Sequence, residues 1–256
     1  MTTKRGSLSI AGAGKATGGL YERVTISGAG RVEGDVEADS VEISGAGKIV
    51  GKVKASRVSL AGACKIAGAV TAQKFDAAGA WKVSGDVQSG QFKAAGAGSI
   101  EGSVQAQEFS NAGTVKIAKN LRAQRAKFSG VLKAGGDVEA SELRGSGAFR
   151  IDGLLAADQL ELELGERSWA REIGGERITV RKRGSFWGWL ARWWGRQIEL
   201  STELIEADEI YLEATVAKTV RGKRVTLGPE CHIERVEYSE SLHIDQKSVV
   251  KEQVKV

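Results

Sequence analysis

The chain has one proline, two cysteines and two histidines among its 256 residues, and each scarcity removes a class of protein. Cys64 and Cys231 are too few and too far apart for a disulfide framework. His232 and His243 both lie near the C-terminus, without the neighbours of a nucleophile, base and orienting group. Beside Cys231 and His232 no further Cys or His offers a tetrahedral metal site. No enzymatic activity, metal or cofactor is expected. No stretch approaches the roughly 18 apolar residues that span a bilayer, and the N-terminal residues lack the hydrophobic region of a signal peptide. A cytoplasmic protein is expected. The formal net charge of +5 falls short of the basic excess of a dedicated nucleic-acid binder, so nucleic acid is not an expected partner.

What the chain has in excess is glycine, 34 residues, placed at regular intervals. Val24, Val41, Val58, Phe75, Phe92, Phe109, Ala126, Leu143 and Leu160 recur at equal spacing, with a period of seventeen. With each of these numbered slot 1, a glycine occupies slot 5 in every rung from Gly28 to Gly147. A second occupies slot 11 from Gly34 to Gly153, with Lys119 the one exception. A fixed period of this length describes a solenoid whose turns bury their apolar faces only against their neighbours.

Within the rung from Val24 to Ser40, odd slots up to 15 are apolar or glycine and even slots are small or polar. That period of two belongs to strands, not helices. Because the long period is odd, alternation breaks once per turn, at the polar pairs Asp39-Ser40, Gln73-Lys74 and Gln107-Glu108, which mark a solvated corner. The glycines divide the remainder into strands over slots 1 to 4, 6 to 10 and 12 to 15. The predicted fold is all-β, a three-sided β-helix (a β-solenoid) of about 17 residues per turn, with glycine corners that tolerate unusual backbone angles.

Interior volume is traded between slots 1 and 3. Val24 stands with Ile26, Phe75 with Ala77, Phe92 with Ala94, then Ala126 with Phe128. Close-packed interiors resist both voids and overpacking, so a narrow filled tube without a ligand cavity is expected, and Cys64 is a small core residue of it. Counting backwards, Leu8, Ile10, Gly12, Gly18 and Leu20 read as the inward positions of a first turn that is one position shorter than the repeat. Counting forwards, Leu160 and Leu162, Ile178 and Val180, Ile210 and Leu212, Val225 and Leu227, and Leu242 and Ile244 read as slots 1 and 3 of later turns. The predicted organisation is a short tail over 1–7, a regular β-helix over 8–164 and a less regular continuation over 165–256. About fourteen turns at the strand spacing would make a rod about 65 Å long.

Outward slots stack into stripes along such a rod. Slot 8 holds Lys15, Arg31, Lys48, Lys65, Lys82, Lys116, Lys133 and Arg150, interrupted by Ser99. Stacked like charges repel, so this basic ladder reads either as a face for an anionic partner or lateral neighbour, or as a solvated face partly neutralised by acids at slots 10, 12 and 14. Slots 4 and 6 are nearly all Ala or Ser, either a lateral packing face or the crowded flank of the glycine corner. The Gly-Ala-Gly runs recur in every rung without a following helix, unlike nucleotide-binding loops.

One segment is out of phase. Ile178 and Ile210 are 32 residues apart, a turn plus 15, and the excess lies in a Trp-rich stretch at about 181–197. A short inserted amphipathic helix is predicted there. Phe186, Trp189, Leu190, Trp193 and Trp194 share its apolar face, Trp187 belongs to the same segment, and Arg181, Lys182, Arg183, Arg192 and Arg196 flank it. Tryptophan at the water–lipid boundary beside basic residues describes an anchor on an anionic membrane surface, too short to span it. Docking on another protein and folding back onto the solenoid are the alternatives.

Rungs of the form Val-x-Ile-x-Gly-x-Gly-x-Val-x-Gly-x-Val-x-Ala, without a cavity or active site, resemble the bactofilins, bacterial polymer-forming cytoskeletal proteins. The resemblance spans residues 8 to about 164 and, more weakly, 198–250. It implies a right-handed β-helix that stacks end to end into nucleotide-independent filaments, a scaffold at the inner face of the cell membrane serving cell shape or motility. The partners it implies are further copies of the chain, the membrane, and other cell-envelope or motility proteins. Open strand edges to template addition fall at the first turn, with Leu8, Ile10 and Leu20, and at the last, with Leu242, Ile244 and Val249. Many bactofilins attach by a short apolar N-terminal tail; here the tail is polar, and the Trp-rich segment is the candidate for that task. A monomeric membrane or protein adaptor using the Trp-rich loop is the alternative function. A β-helix enzyme acting on polysaccharide or acyl transfer fits less well, because acyltransferase solenoids repeat by hexads and use a His, and no His precedes His232.

Overall fold

A computed structural model describes residues 5–183 and 198–256, arranged as two compact units over 1–123 and 124–256. Fifteen strands are described, and no helix is described. The first unit holds β1 (Leu8–Ala11), β2 (Lys15–Gly28), β3 (Arg31–Gly45), β4 (Lys48–Val50), β5 (Val53–Ile66), β6 (Val70–Val83), β7 (Val87–Ile100) and β8 (Val104–Ile117). β9 (Leu121–Ala134) spans the division. The second unit continues with β10 (Val138–Leu164), β11 (Ser168–Lys182), β12 (Leu200–Leu212), β13 (Thr215–Leu227), β14 (His232–Ile244) and β15 (Val249–Lys255). In each unit neighbouring strands pair in parallel and in chain order, as a β-solenoid requires.

The register is the repeat itself. Val58 pairs with Phe75, Phe75 with Phe92 and Phe92 with Phe109, each one full period further along the chain. Within the second unit a column runs from Leu160 to Ile178, Ile210, Val225 and Leu242, so the later turns fall where the sequence places them despite uneven spacing. Alternation then decides the core. Val58, Leu60 and Ile66 are buried while Ser59 and Lys65 between them face outward.

The three corners of a rung differ in kind. Strands run on through the glycine at slot 5, so they are longer than the three short pieces that the sequence predicts. At Gly62 the chain turns with φ of +113°, a left-handed conformation that side chains resist. Slot 11 needs glycine for another reason. A methyl group at Gly68 would lie 2.2 Å from the carbonyl oxygen of Gly51 in the rung beneath, so here the demand is close backbone approach. The solvated corner is a single missed pair, as where Ala55–Ala72 is followed by Arg57–Lys74. The slot-11 corner also carries a bond invisible in the apolar pattern. Asp35, Asp86 and Asp137, three rungs apart, accept from the backbone N–H of Lys52, Ser103 and Leu154, one rung on, at 2.7, 2.7 and 2.9 Å. These carboxylates satisfy donors where the strand ladder breaks.

The core is filled, as slots 1 and 3 imply. Phe75, Phe92 and Phe109 stack with centroids 5.0 Å apart, and Trp81 meets Phe75 and Phe92 edge-on. Trp81 occupies space left open by Gly98, where a methyl would sit 2.0 Å from its ring.

Leu20 departs from expectation. It pairs with Glu37, and Gly19 takes the inward place opposite Val36, so Leu20 is 62% exposed. The cause is a register shift between Thr17 and Gly19, which flips the following side chain to the other face.

Candidate interaction faces

The basic ladder is a true column in the first unit. Lys15 pairs with Arg31, Arg31 with Lys48, Lys48 with Lys65, Lys65 with Lys82, and Ser99 then separates Lys82 from Lys116. Arg31 is paired to Glu33 at 2.9 Å and Lys82 to Glu101 at 2.5 Å, which holds the Glu101 carboxyl below its ordinary range. Lys133 and Arg150 lie in the second unit, both exposed, with Arg150 on Asp152 at 3.1 Å. The sequence count stops at Arg150, but the column does not. Trp169 pairs with Arg150 in the next rung, and the Arg150 guanidinium lies 5.2 Å over its indole. The signal is present in the sequence but hidden, because the interval from Arg150 to Trp169 is longer than the repeat.

Slots 4 and 6 of the first unit are flush and exposed, as at Ala78 and Ala80 on either side of Gly79. The slot-4 alanines Ala61, Ala78, Ala95 and Ala112 floor a shallow open depression of about 380 Å³, bordered by Asp76 and Lys93. In the second unit a groove of about 480 Å³ runs beside Lys127, Arg144, Glu161, Thr179 and Arg181.

The chain leaves the rungs at Lys182 and rejoins them at Leu200, which pairs with Ser168. One corner has therefore been enlarged. In the preceding rung the same corner is the three residues between Leu164 and Ser168, and in the following rung the two between Leu212 and Thr215. Phe186, Trp187, Trp189, Leu190, Arg192, Trp193, Trp194 and Arg196, and the helix expected of them, lie outside the described residues. The basic residues preceding them are placed. Arg181 sits over the Tyr211 ring at 5.7 Å, Lys182 is tied to Glu230 at 2.6 Å, and Arg183 is exposed. Tyr211 donates to Glu213, a bond that raises its hydroxyl pKa. The corner is thus bordered by two Arg–aromatic pairs, Arg150 with Trp169 and Arg181 with Tyr211.

The terminal edges carry the remaining expected residues. Among the described residues β1 pairs only with β2, and β15 only with β14. Ile10 is buried, Leu8, Leu242 and Ile244 are half-buried, and Val249 faces outward, 56% exposed, opposite His232. His232 and His243 are exposed on β14. Cys64 and Cys231 are buried thiols, and burial pushes both upward from the ordinary thiol range. Among the described residues no group of three or more His, Cys, Asp or Glu is placed to hold a metal, and no helix is long and apolar enough to cross a membrane.

Comparison with known proteins agrees with the rung pattern. The chain is 38% identical over 104 residues to the uncharacterized protein YhbF and 44% identical over 105 residues to the uncharacterized protein YhbE, both of Bacillus subtilis (strain 168). Each alignment covers 40% of this chain, and 42% and 43% of the two relatives. No solved structure gives a significant match. The family model that matches, over residues 1–88, is the one the rungs resemble: bactofilin, polymer-forming cytoskeletal.

Proposed function

We propose that this protein is a structural scaffold that assembles end to end, without nucleotide, into filaments lying on the inner surface of the cell membrane, where they serve cell shape or motility. The observation that carries assembly is the condition of the terminal rungs. Among the described residues β1 and β15 each leave one edge unpaired. Of the four large apolar side chains exposed among the described residues, Leu20, Val249 and Val256 belong to the first and last rungs, and only Val216 does not. Unpaired edges template strand addition, and exposed apolar groups at those edges favour burial against another copy. Electron microscopy and sedimentation of purified protein across salt and concentration test this, with filaments expected and strictly monomeric particles refuting it.

Membrane association is assigned to the Trp-rich stretch at 181–197, whose four Trp and five basic residues have the composition of an interfacial anchor. The Trp169 and Tyr211 rings beside it, each under an arginine, are of the same amphipathic kind. Sedimentation with anionic vesicles of the wild type against Trp189→Glu with Trp193→Glu tests the assignment; equal pelleting removes it. A monomeric adaptor is the reading that remains if vesicles bind and filaments do not form.

A further inference from the structure

We propose that the slot-8 face of the first unit is a second, independent contact for an anionic lipid surface, separate from the Trp-rich stretch. The inference rests on the membrane association proposed above and names the face that would lie on the lipid.

Three observations carry it. The first is that several cations of the column lack an ion-paired partner among the described residues, although Glu101 lies within electrostatic reach of Lys65. Lys15, Lys48 and Lys65 form no ion pair among the described residues, although Arg31 and Lys82 in the same column do. The second is that the fold does not force like charges to stack. In the second unit, at another slot, Arg177 pairs in register with Glu209 and Glu209 with Arg224, joined by ion pairs. Glu206, Arg221 and Glu237 likewise alternate in sign up one column. Both units pair their rungs in parallel, so a same-sign column in the first is a property of its sequence and not of the solenoid. The third is net charge. Residues 1–123 carry sixteen Lys and Arg against ten Asp and Glu, whereas residues 124–256 carry twenty-one against twenty-two.

The shape of the face selects the partner. Slot 6 beside the column is alanine in successive rungs, Ala46, Ala63, Ala80 and Ala97, all exposed, so no wall rises next to the lysines. A linear polyanion is ordinarily held in a groove with aromatic platforms, and this face has neither. A flat strip bearing one cation per rung from Lys15 to Lys82, about 4.8 Å apart, meets a planar layer of anionic headgroups along that length. The half-buried stems of Lys48 and Lys65 keep their ammonium groups at the outer surface.

The test is flotation of the full chain with vesicles of phosphatidylcholine containing phosphatidylglycerol, and with phosphatidylcholine alone. The ladder variant is Lys48→Gln with Lys65→Gln. The control is Lys74→Gln with Lys93→Gln, which removes the same charge from exposed positions on another face. Two surface lysines contribute about 30-fold to partitioning on an anionic bilayer, so the ladder variant should lose about that factor on the anionic vesicles while the control stays near wild type. Equal losses in both variants would overturn the proposal, because net charge and not the face would then govern binding. If the ladder variant binds as wild type and Trp189→Glu with Trp193→Glu abolishes binding, the slot-8 proposal fails and the membrane reading stands. If wild type binds neither vesicle, both fail together. Ladder-dependent binding to duplex DNA without vesicle binding would replace lipid with nucleic acid as the partner.

Discussion

Swapping the contents of two core slots tests whether the interior is a volume constraint or a specific jigsaw. Phe92 is fully buried at slot 1, stacked at 5.0 Å on both Phe75 and Phe109, with Ala94 beside it at slot 3. Truncation to Ala removes a buried ring and leaves a cavity, a loss of about 3–5 kcal/mol for Phe→Ala. Because both stacking partners are lost, Phe92→Ala should fall near the upper end. Ala94→Phe alone overpacks the rung and costs about 1–3 kcal/mol. The double variant Phe92→Ala with Ala94→Phe restores the volume in the order that the chain itself uses at Ala126 and Phe128. It does not restore the stack, because the neighbours at slot 3 are Ala77 and Asn111. Two stacking contacts of about 1 kcal/mol each therefore stay lost, and the double variant should be about 2–3 kcal/mol less stable than wild type. Urea denaturation followed by circular dichroism gives the four values of the cycle. A double variant no more stable than the sum of its parts would refute volume exchange between the slots. A Phe92→Ala cost below about 1 kcal/mol would refute the filled core.

Three further outcomes follow from the same geometry. Gly68→Ala should lower stability by about 2–4 kcal/mol, since its methyl meets a backbone carbonyl of the rung beneath, whereas Gly6→Ala, with open space around it, should change thermal unfolding by less than about 0.5 kcal/mol. Gly98→Ala should be destabilising alone and substantially relieved by Trp81→Leu, because the indole is what its methyl strikes; denaturation midpoints of the two singles and the double decide, and no relief refutes the pairing. Hydrogen bonds from Arg177 to Glu209 and from Arg221 to Glu237 hold both carboxyls below their ordinary value. Their contribution is present above the unfolded pKa of about 4.3 and lost as pH falls through the lower folded value, so hydrogen-exchange protection in β12–β14, taken relative to the intrinsic rate at each pH, should fall below about pH 4 more than in β5 and β6. A uniform loss of protection would refute that assignment.

Alternation within a rung and the long period between rungs are properties of backbone geometry, which is why inward and outward positions, the core and the basic column are legible in the sequence. What escapes is whatever depends on a single position more or less at a corner. Leu20 reads as inward because the register shift between Thr17 and Gly19 changes no composition and only reverses a face. Trp169 escapes as the continuation of the ladder because its distance from Arg150 along the chain exceeds the repeat. The two glycine slots look alike in sequence, yet one serves a positive φ and the other a close approach, a distinction that requires the neighbouring rung. The Asp35, Asp86 and Asp137 bonds are hidden for a different reason. They recur every third rung at an outward slot, and outward polar residues carry no periodic apolar signal.

The distribution of exposed groups bears on how copies can associate. In a solenoid every slot is copied along the axis, so a side chain that favours self-association at one rung favours it at all of them. Apolar exposure on a long face would invite side-by-side aggregation. Slots 4, 6 and 8 of the first unit carry mostly alanine, serine and lysine, and two copies presenting the slot-8 column to each other would set Lys48 and Lys65 against their equivalents, a like-charge contact that repels. Of the four large apolar side chains exposed among the described residues, three, Leu20, Val249 and Val256, lie in rungs whose described outer edges are unpaired. On the end-to-end assembly proposed above, contact through the slot-8 face is opposed by charge while axial contact is favoured by strand hydrogen bonding. That difference in direction is what the proposed end-to-end growth requires, and an anionic surface that neutralised the column would leave the axial preference intact.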